Sequence, residues 1–244
     1  MRSDVASRQM RARIAGRPAR DAKLPSERAW QRSRVVEPRL AARHPAFVSD
    51  GGSPPFPPAA LLARATELDA ADAAVEALVS LLLAQGVAVE LRDWRTLVQT
   101  EDEALFARGS PPHLALVTVR RDARRDRWIA GASSSEQPLV ATRDGIRASA
   151  WRLDPTQELG GAEQTLRLLV TERAFASGQS ADRRILPPDI YLGEDEIILT
   201  VYVKPRPGFQ TGSRNPETPV RVALPEAVGG RVLTDGALVP QGLN

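Results

Sequence analysis

The chain has 244 residues, 42% of them apolar, a length that suits one large or two small domains with a real core. Its formal net charge is +3, from 33 Lys and Arg against 30 Asp and Glu, and it has no cysteine and only two histidines. Disulfides, thiolate metal sites and thiol nucleophiles are therefore excluded, and the ligand supply argues against structural zinc.

The charge is unevenly placed. Residues 1–45 hold 12 basic residues (Lys23 and 11 Arg) against Asp4, Asp21, Glu27 and Glu37, a surplus of +8, so the remainder carries −5. Residues 1–57 are rich in Arg, Ala, Ser and Pro, show no sustained period, and run into Ser53-Pro54-Pro55-Phe56-Pro57-Pro58. Like charges repel, and few large apolar side chains offset chain entropy. This segment is expected to be a disordered basic arm, with a transient helix near residues 7–14. The same composition also fits translation from a start upstream of the physiological one.

Residues 59–86 predict a helix. Leu61, Leu62, Ala65, Leu68, Val75, Leu78, Val79 and Leu82 recur at three- and four-residue spacing. Pro57 and Pro58 suit its first turn, acids decorate its N-terminal half, and Gly86 is a natural stop. Its apolar stripe needs a sheet to pack on.

After Gly86 the pattern turns to strands. Val87–Arg92 alternates weakly. Residues 94–100 and 104–107 read as two strands around a Thr100–Glu103 turn, with a helix over 101–108 as the competing reading. Leu114–Arg120 and Arg127–Ala132 flank a charged turn and read as a hairpin. Ser133-Ser134-Ser135 reads as a loop. Strands are expected at 138–142, 145–153, 165–172, 196–203, 220–224 and 231–234. Ile197, Leu199, Val201 and Val203 alternate with Ile198, Thr200 and Tyr202, the clearest period-two run in the chain. Long Pro- and Gly-containing loops separate the later strands, at 177–189 and 205–218.

The predicted fold class is α+β, mainly β: a disordered basic N-terminal arm, one N-terminal helix packed on antiparallel sheets, and a sandwich-like C-terminal part. The expected division is 1–57, 58–154 and 155–244, with the alternative that 58–244 is one domain. No apolar run approaches the ~20 residues that cross a bilayer. The first 30 residues lack the apolar core of a signal peptide, so a cytoplasmic location is expected.

Three phrases carry a family likeness: Trp151-Arg152-Leu153-Asp154-Pro155; Val170-Thr171-Glu172-Arg173-Ala174-Phe175-Ala176-Ser177-Gly178; and Asn215–Val220 leading to Leu224–Gly236. With Pro112–Pro138 they make residues 87–240 resemble a group of uncharacterised actinobacterial proteins, many exported or lipid-anchored. The resemblance implies no activity. It implies cysteines at the positions of Phe175 and Gly212, bridging the two long loops, and both are absent here. A bridge closing so long a loop contributes about 3–4 kcal/mol. The expectation is that Phe175 replaces it by burying its ring, worth ~2–3 kcal/mol.

The remaining constellations favour plain structure over chemistry. Ser133-Ser134-Ser135 has no neighbouring base and no nucleophile elbow. Glu194-Asp195-Glu196 lacks calcium-loop spacing and reads as a solvated hairpin end. Glu172 lies in an apolar strand beside Arg173, which faces the other way, so the two do not pair with each other and whichever points inward calls for another partner. Trp94, Trp128 and Trp151 suit core packing better than a ligand face. The glycine pairs 160–161 and 229–230 are turns, not phosphate loops.

Three functions follow. The first is a noncatalytic binding module that uses loops 177–189 and 205–218 to hold a protein or small ligand. The second is polyanion, including nucleic-acid, association through the arm at Arg8, Arg11, Arg13, Arg17 and Arg20, where only Trp30 offers an aromatic face. The third is an enzyme of unrecognised type. No catalytic residue, metal ligand or cofactor is assigned.

Overall fold

The computed structural model describes residues 24–43, 45–49, 53–62, 68–110, 113–135, 139–212 and 214–237. In chain order the elements are α1 (Glu27–Arg32), β1 (Val35–Val36), β2 (Arg39–Leu40), β3 (Ala46–Ser49), α2 (Ala59–Leu62) and α3 (Ala73–Ala84). There follow β4 (Trp94–Gln99), β5 (Glu103–Ser110), β6 (His113–Asp122), β7 (Arg127–Ser135), β8 (Leu139–Arg143) and β9 (Ile146–Leu153). The last are β10 (Thr165–Thr171), β11 (Asp189–Leu192), β12 (Glu196–Tyr202), β13 (Thr218–Ala223) and β14 (Val232–Asp235). The protein is mainly β, as its strand-rich C-terminal sequence predicts. It divides into two compact units, and the division falls at His44/Pro45 and Thr142/Arg143 rather than near residue 155. The turn chemistry of Pro155–Gly161 marks a loop inside one unit, because β9 before it pairs with β10 after it, Leu153 opposite Leu168.

The unit of residues 45–142 holds an antiparallel meander in the order β4-β5-β6-β7. α3 lays Ala74, Val75, Leu78 and Leu82 against Trp94, Ala104, Phe106, Val117 and Val119. The expected single helix over 59–86 is corrected: residues 68–72 are not helical. Asp72 ends the non-helical stretch by accepting a hydrogen bond from Ala74 N–H at 2.8 Å as the N-cap of α3. Two further expectations change. Val87–Glu90 forms no strand, and Ser133–Ser135 continues β7 opposite Ala115–Val117 instead of forming a loop. The competing helix over 101–108 is absent, since β5 occupies it. β3 pairs antiparallel with β8, and Phe47 bridges to Phe56 beside it.

The other unit comprises the described residues up to Arg43 and residues 143–237. Its strands follow the path β1-β13-β10-β9-β12-β11-β2, with β14 parallel to β12. The two ends of that path, β1 and β2, belong to one stretch, Val35–Leu40. The sheet therefore closes on itself and leaves neither β13 nor β11 as an open edge, the solution that barrels reach. Backbone bonds fasten the closure: Arg221 N–H to Arg34 O at 2.9 Å, Arg39 N–H to Pro188 O at 2.7 Å and Ala41 N–H to Ile190 O at 2.9 Å. Leu166, Leu168, Val170, Val220 and Val222 meet Ile190, Ile197, Leu199, Val201 and Leu233 across one core. Trp151 and Trp94 are each 2% exposed, which fits the packing role expected of them.

The described residues 24–43 and 45–49 correct the reading of this stretch as part of a disordered arm. Trp30, Val36, Phe47 and Val48 are buried. These scattered apolar anchors are too few to show a period, yet each finds a place in a core. Arg8, Arg11, Arg13, Arg17 and Arg20 lie outside the described residues.

Candidate functional site

The two long loops leave the same region of the closed sheet. One follows β10 and runs from Glu172 to Pro188; the other follows β12 and runs from Val203 to Glu217. They are not independent. Asn215 donates from Nδ2 to Glu172 O at 2.9 Å and to Ala174 O at 2.6 Å, and its Oδ1 accepts from Ala176 N–H at 3.2 Å. Thr218 Oγ1 accepts from Ala181 N–H at 2.8 Å in a buried position. Ser177 Oγ donates to Gln210 Oε1 at 3.0 Å and accepts from Thr211 N–H at 3.0 Å. Ile185 bridges to Val203, and Lys204 N–H donates to Arg184 O at 2.9 Å. A side-chain amide that satisfies three backbone groups does locally what a strand pair does over a longer run.

Glu172 has the partner its position demands. It is 4% exposed, and both its oxygens accept from Arg184, with Nη1 at 2.6 Å from Oε1. Arg184 also donates to Lys204 O at 2.8 Å and Ser180 O at 3.1 Å, so one guanidinium ties the end of β10 to both loops. Ser177 and Arg183 hold left-handed backbone, φ 52° and 63°, at corners of the first loop. Non-glycine residues pay for that conformation, and the bonds around them hold it.

On this fixed frame two rings face solvent: Phe175 is 64% exposed and Phe209 95%. The expectation that Phe175 fills a core position is overturned. Its ring lies beside Gly212, 3.8 Å from where a Cβ there would begin, so positions 175 and 212 are neighbours across the loops. The ring nevertheless lies at the surface rather than in the core. Phe209 follows the turn at Gly208, φ 77°, which Gln210 closes by donating to Pro207 O at 2.9 Å. The same two loops carry Arg183, Lys204, Arg206 and Arg214. Among the described residues none of these four forms an ion pair. The loops' acids other than Asp182 are engaged: Glu172 by Arg184 and Glu217 by Arg152, the latter through two bonds of 2.7 and 2.6 Å.

Two other polar clusters are structural. Asp189, 7% exposed, takes Arg143 Nη1 at 2.6 Å and Arg39 Nε at 2.9 Å on the same oxygen, and Arg143 lies 4.4 Å over the Tyr202 ring. Burial first, and then the Asp189 carboxylate, push the Tyr202 phenol up, so it stays protonated. Tyr202 is fully buried, and the cluster's work is to join β2 to β11. A polar cleft of about 420 Å³ is lined by Thr156, Gln157, Glu163, Thr165, Arg167 and Arg221. Its arginines are spent on α1: Arg167 grips Glu27 at 2.9 Å through both nitrogens, and Arg221 donates to Ser33 O at 3.0 Å. Among the described residues no group of three His, Asp or Glu is placed to hold a metal ion. Glu194-Asp195-Glu196 closes the β11–β12 hairpin, with Gly193 N–H on Glu196 O at 2.8 Å and Arg43 on the Glu196 carboxylate at 2.7 Å.

Proline and glycine mark the loop pair in the sequence, but the exposure of its two phenylalanines does not follow from that composition. The Asn215-Pro216 step was the available signal: an asparagine before a strand often bonds backbone across a turn. No protein-family model, no curated protein and no solved structure matches the chain.

Proposed function

We propose that the protein is a noncatalytic binding module whose recognition surface is the loop pair 172–188 and 203–217. One observation carries this reading: two phenylalanines, 64% and 95% exposed, are presented by loops whose own hydrogen bonds already fix them. A lone exposed apolar side chain is ordinary. Two on a cross-braced loop pair form an anchor site whose ordering cost is met in folding rather than on binding. The engaged acids and the barrel-like support fit a surface built to hold its shape. The membrane enters only as a limit: among the described residues no helix is long and apolar enough to cross one.

The test is a photo-reactive phenylalanine analogue at position 209, irradiated in the cells the chain comes from. A discrete adduct is expected at 209 and not at Leu83, an exposed apolar control on the other unit (64%). No adduct at 209, or the same adduct at both positions, overturns the reading.

A further inference from the structure

We infer that the loop pair binds single-stranded nucleic acid, a proposal that rests on the binding-module reading and names its ligand. Two ingredients define a single-strand surface: aromatic faces for the bases and cations that track the phosphates. Phe209 has both ring faces open to solvent at 95% exposure, and Phe175 is 64% exposed on the adjoining loop. Arg183, Lys204, Arg206 and Arg214 lie on the same two loops with no ion pair among the described residues. Arg184 would add a fifth charge, but Glu172 neutralises it. Among the described residues Asp182 is the acid of these segments without an ion pair, and its carboxylate accepts from Arg183 N–H at 3.0 Å. With Glu172–Arg184 and Glu217–Arg152 paired and Arg173 donating to Ala148 O, the two loops keep four cations against Asp182, a surplus of about three.

Competing ligands fit less well. A peptide adding a strand needs an open edge, and Val35–Leu40 covers both β13 and β11. A peptide side chain needs a pocket, and the rings protrude instead of lining one. A lipid surface would accept the rings, but Ser177, Gln179, Gln210 and Thr211 stand among them. Sinking these hydroxyls and amides into acyl chains costs more than two phenylalanines return.

The experiment uses the full chain and a fluorescein-labelled oligodeoxythymidine of roughly 20 nucleotides, read by anisotropy across a salt series. Wild type is expected to bind, with log affinity falling against log salt. Phe209→Ala, which removes a solvent-facing ring, is expected to weaken binding about tenfold with unchanged melting. Arg206→Gln with Arg214→Gln is expected to make the salt slope shallower by roughly 1.4, at ~0.7 per phosphate contact. No binding at about 50 mM salt overturns the proposal. So does binding that neither variant alters, which would place the contact elsewhere in the chain. Vesicles of phosphatidylcholine and phosphatidylglycerol form the lipid arm: binding there without binding to the oligonucleotide also overturns it. A protein adduct at position 209 with no oligonucleotide affinity overturns this ligand assignment and leaves the binding module standing.

Discussion

Arg184 holds both carboxylate oxygens of Glu172 at the point where β10 gives way to the first recognition loop. The pair is nearly closed to solvent, with side chains 16% and 2% exposed. Such a pair adds little over a well-packed apolar substitute, but removing one partner strands the other. Glu172→Gln is therefore expected to destabilise the protein by about 3 kcal/mol and to loosen both loops together. Thermal melting gives the first effect. Amide exchange at Ala176, Ala181 and Lys204, whose N–H groups brace the loops, gives the second. Melting within about 0.5 kcal/mol of wild type would mean that the ion pair does not brace the loops.

A second buried acid runs the other way. Asp235 is 8% exposed, and its carboxyl accepts from Ala237 N–H at 2.9 Å. Burial pushes it up to about 7, against the opposing pull of that N–H, the Trp151 indole and Arg173. The unfolded chain ionises this group near pH 4. Between about pH 4 and 7 the unfolded state therefore holds fewer protons than the folded one, and stability falls as pH rises. Its favourable contribution is complete below pH 4 and gone above 7. Asp235→Asn keeps an acceptor for Ala237 and carries no charge. The two proteins are expected to melt alike near pH 4 and to separate as pH rises, with the variant the more stable by several kcal/mol at pH 8. Parallel pH profiles from 4 to 8 would show that Asp235 is not the group responsible.

Phe175 gives the opposite expectation from a core residue. With 64% of it in water, truncation to alanine removes surface and opens no cavity. Phe175→Ala is expected to stay within about 0.5 kcal/mol of wild type in denaturant melts. A loss of 2 kcal/mol or more would place the ring inside after all. Gly236 supplies the contrast: a Cβ there would collide with Thr200 Oγ1 and come within 2.8 Å of Ile198 Cγ2. Gly236→Ala is expected to cost 1–3 kcal/mol, the usual penalty of overpacking.

The sequence carries some of this directly. β12 is legible to within a residue because β-branched and aromatic side chains crowd it. Its burial on both faces is not, because distant segments cover the second face: Arg143 lies over the Tyr202 ring, and Gly236 abuts the Ile198 and Thr200 side chains. β11 hides behind Pro187-Pro188, which reads as loop. β1 and β2 are two residues each, and nothing local specifies them: Val35 and Val36 are strand only because Arg221 and Val222 are beside them. The helix prediction over-reaches for a related reason, since the apolar spacing around Asp69 and Asp72 continues while their carboxylates bond to Ala71 and Ala74 N–H and start a new helix. For the loops, composition marks the limits, and the Glu172-Arg173 step is read as holding one inward side chain with a partner; the structure shows that it is Glu172, held by Arg184. The cross-bracing by Asn215 and the outward turn of Phe175 depend on contacts more than 35 residues apart in sequence.

The closing segment Val35–Leu40 makes the N-terminal boundary testable. Two truncations isolate it: one removing residues 1–23, the other residues 1–43. Only the second deletes α1, β1 and β2, and with them the buried Trp30, the Glu27–Arg167 pair and both edge covers. Loss of one buried tryptophan and several backbone bonds amounts to several kcal/mol. The shorter protein is therefore expected to melt roughly 10 °C below the longer one. It is also expected to associate, because β13 and β11 become open edges that can pair with another copy. Size-exclusion chromatography should show one species for the longer truncation product and oligomers for the shorter. Equal melting and equal elution would mean that residues 24–43 do not close the sheet, and the account of a strapped barrel would fall with them.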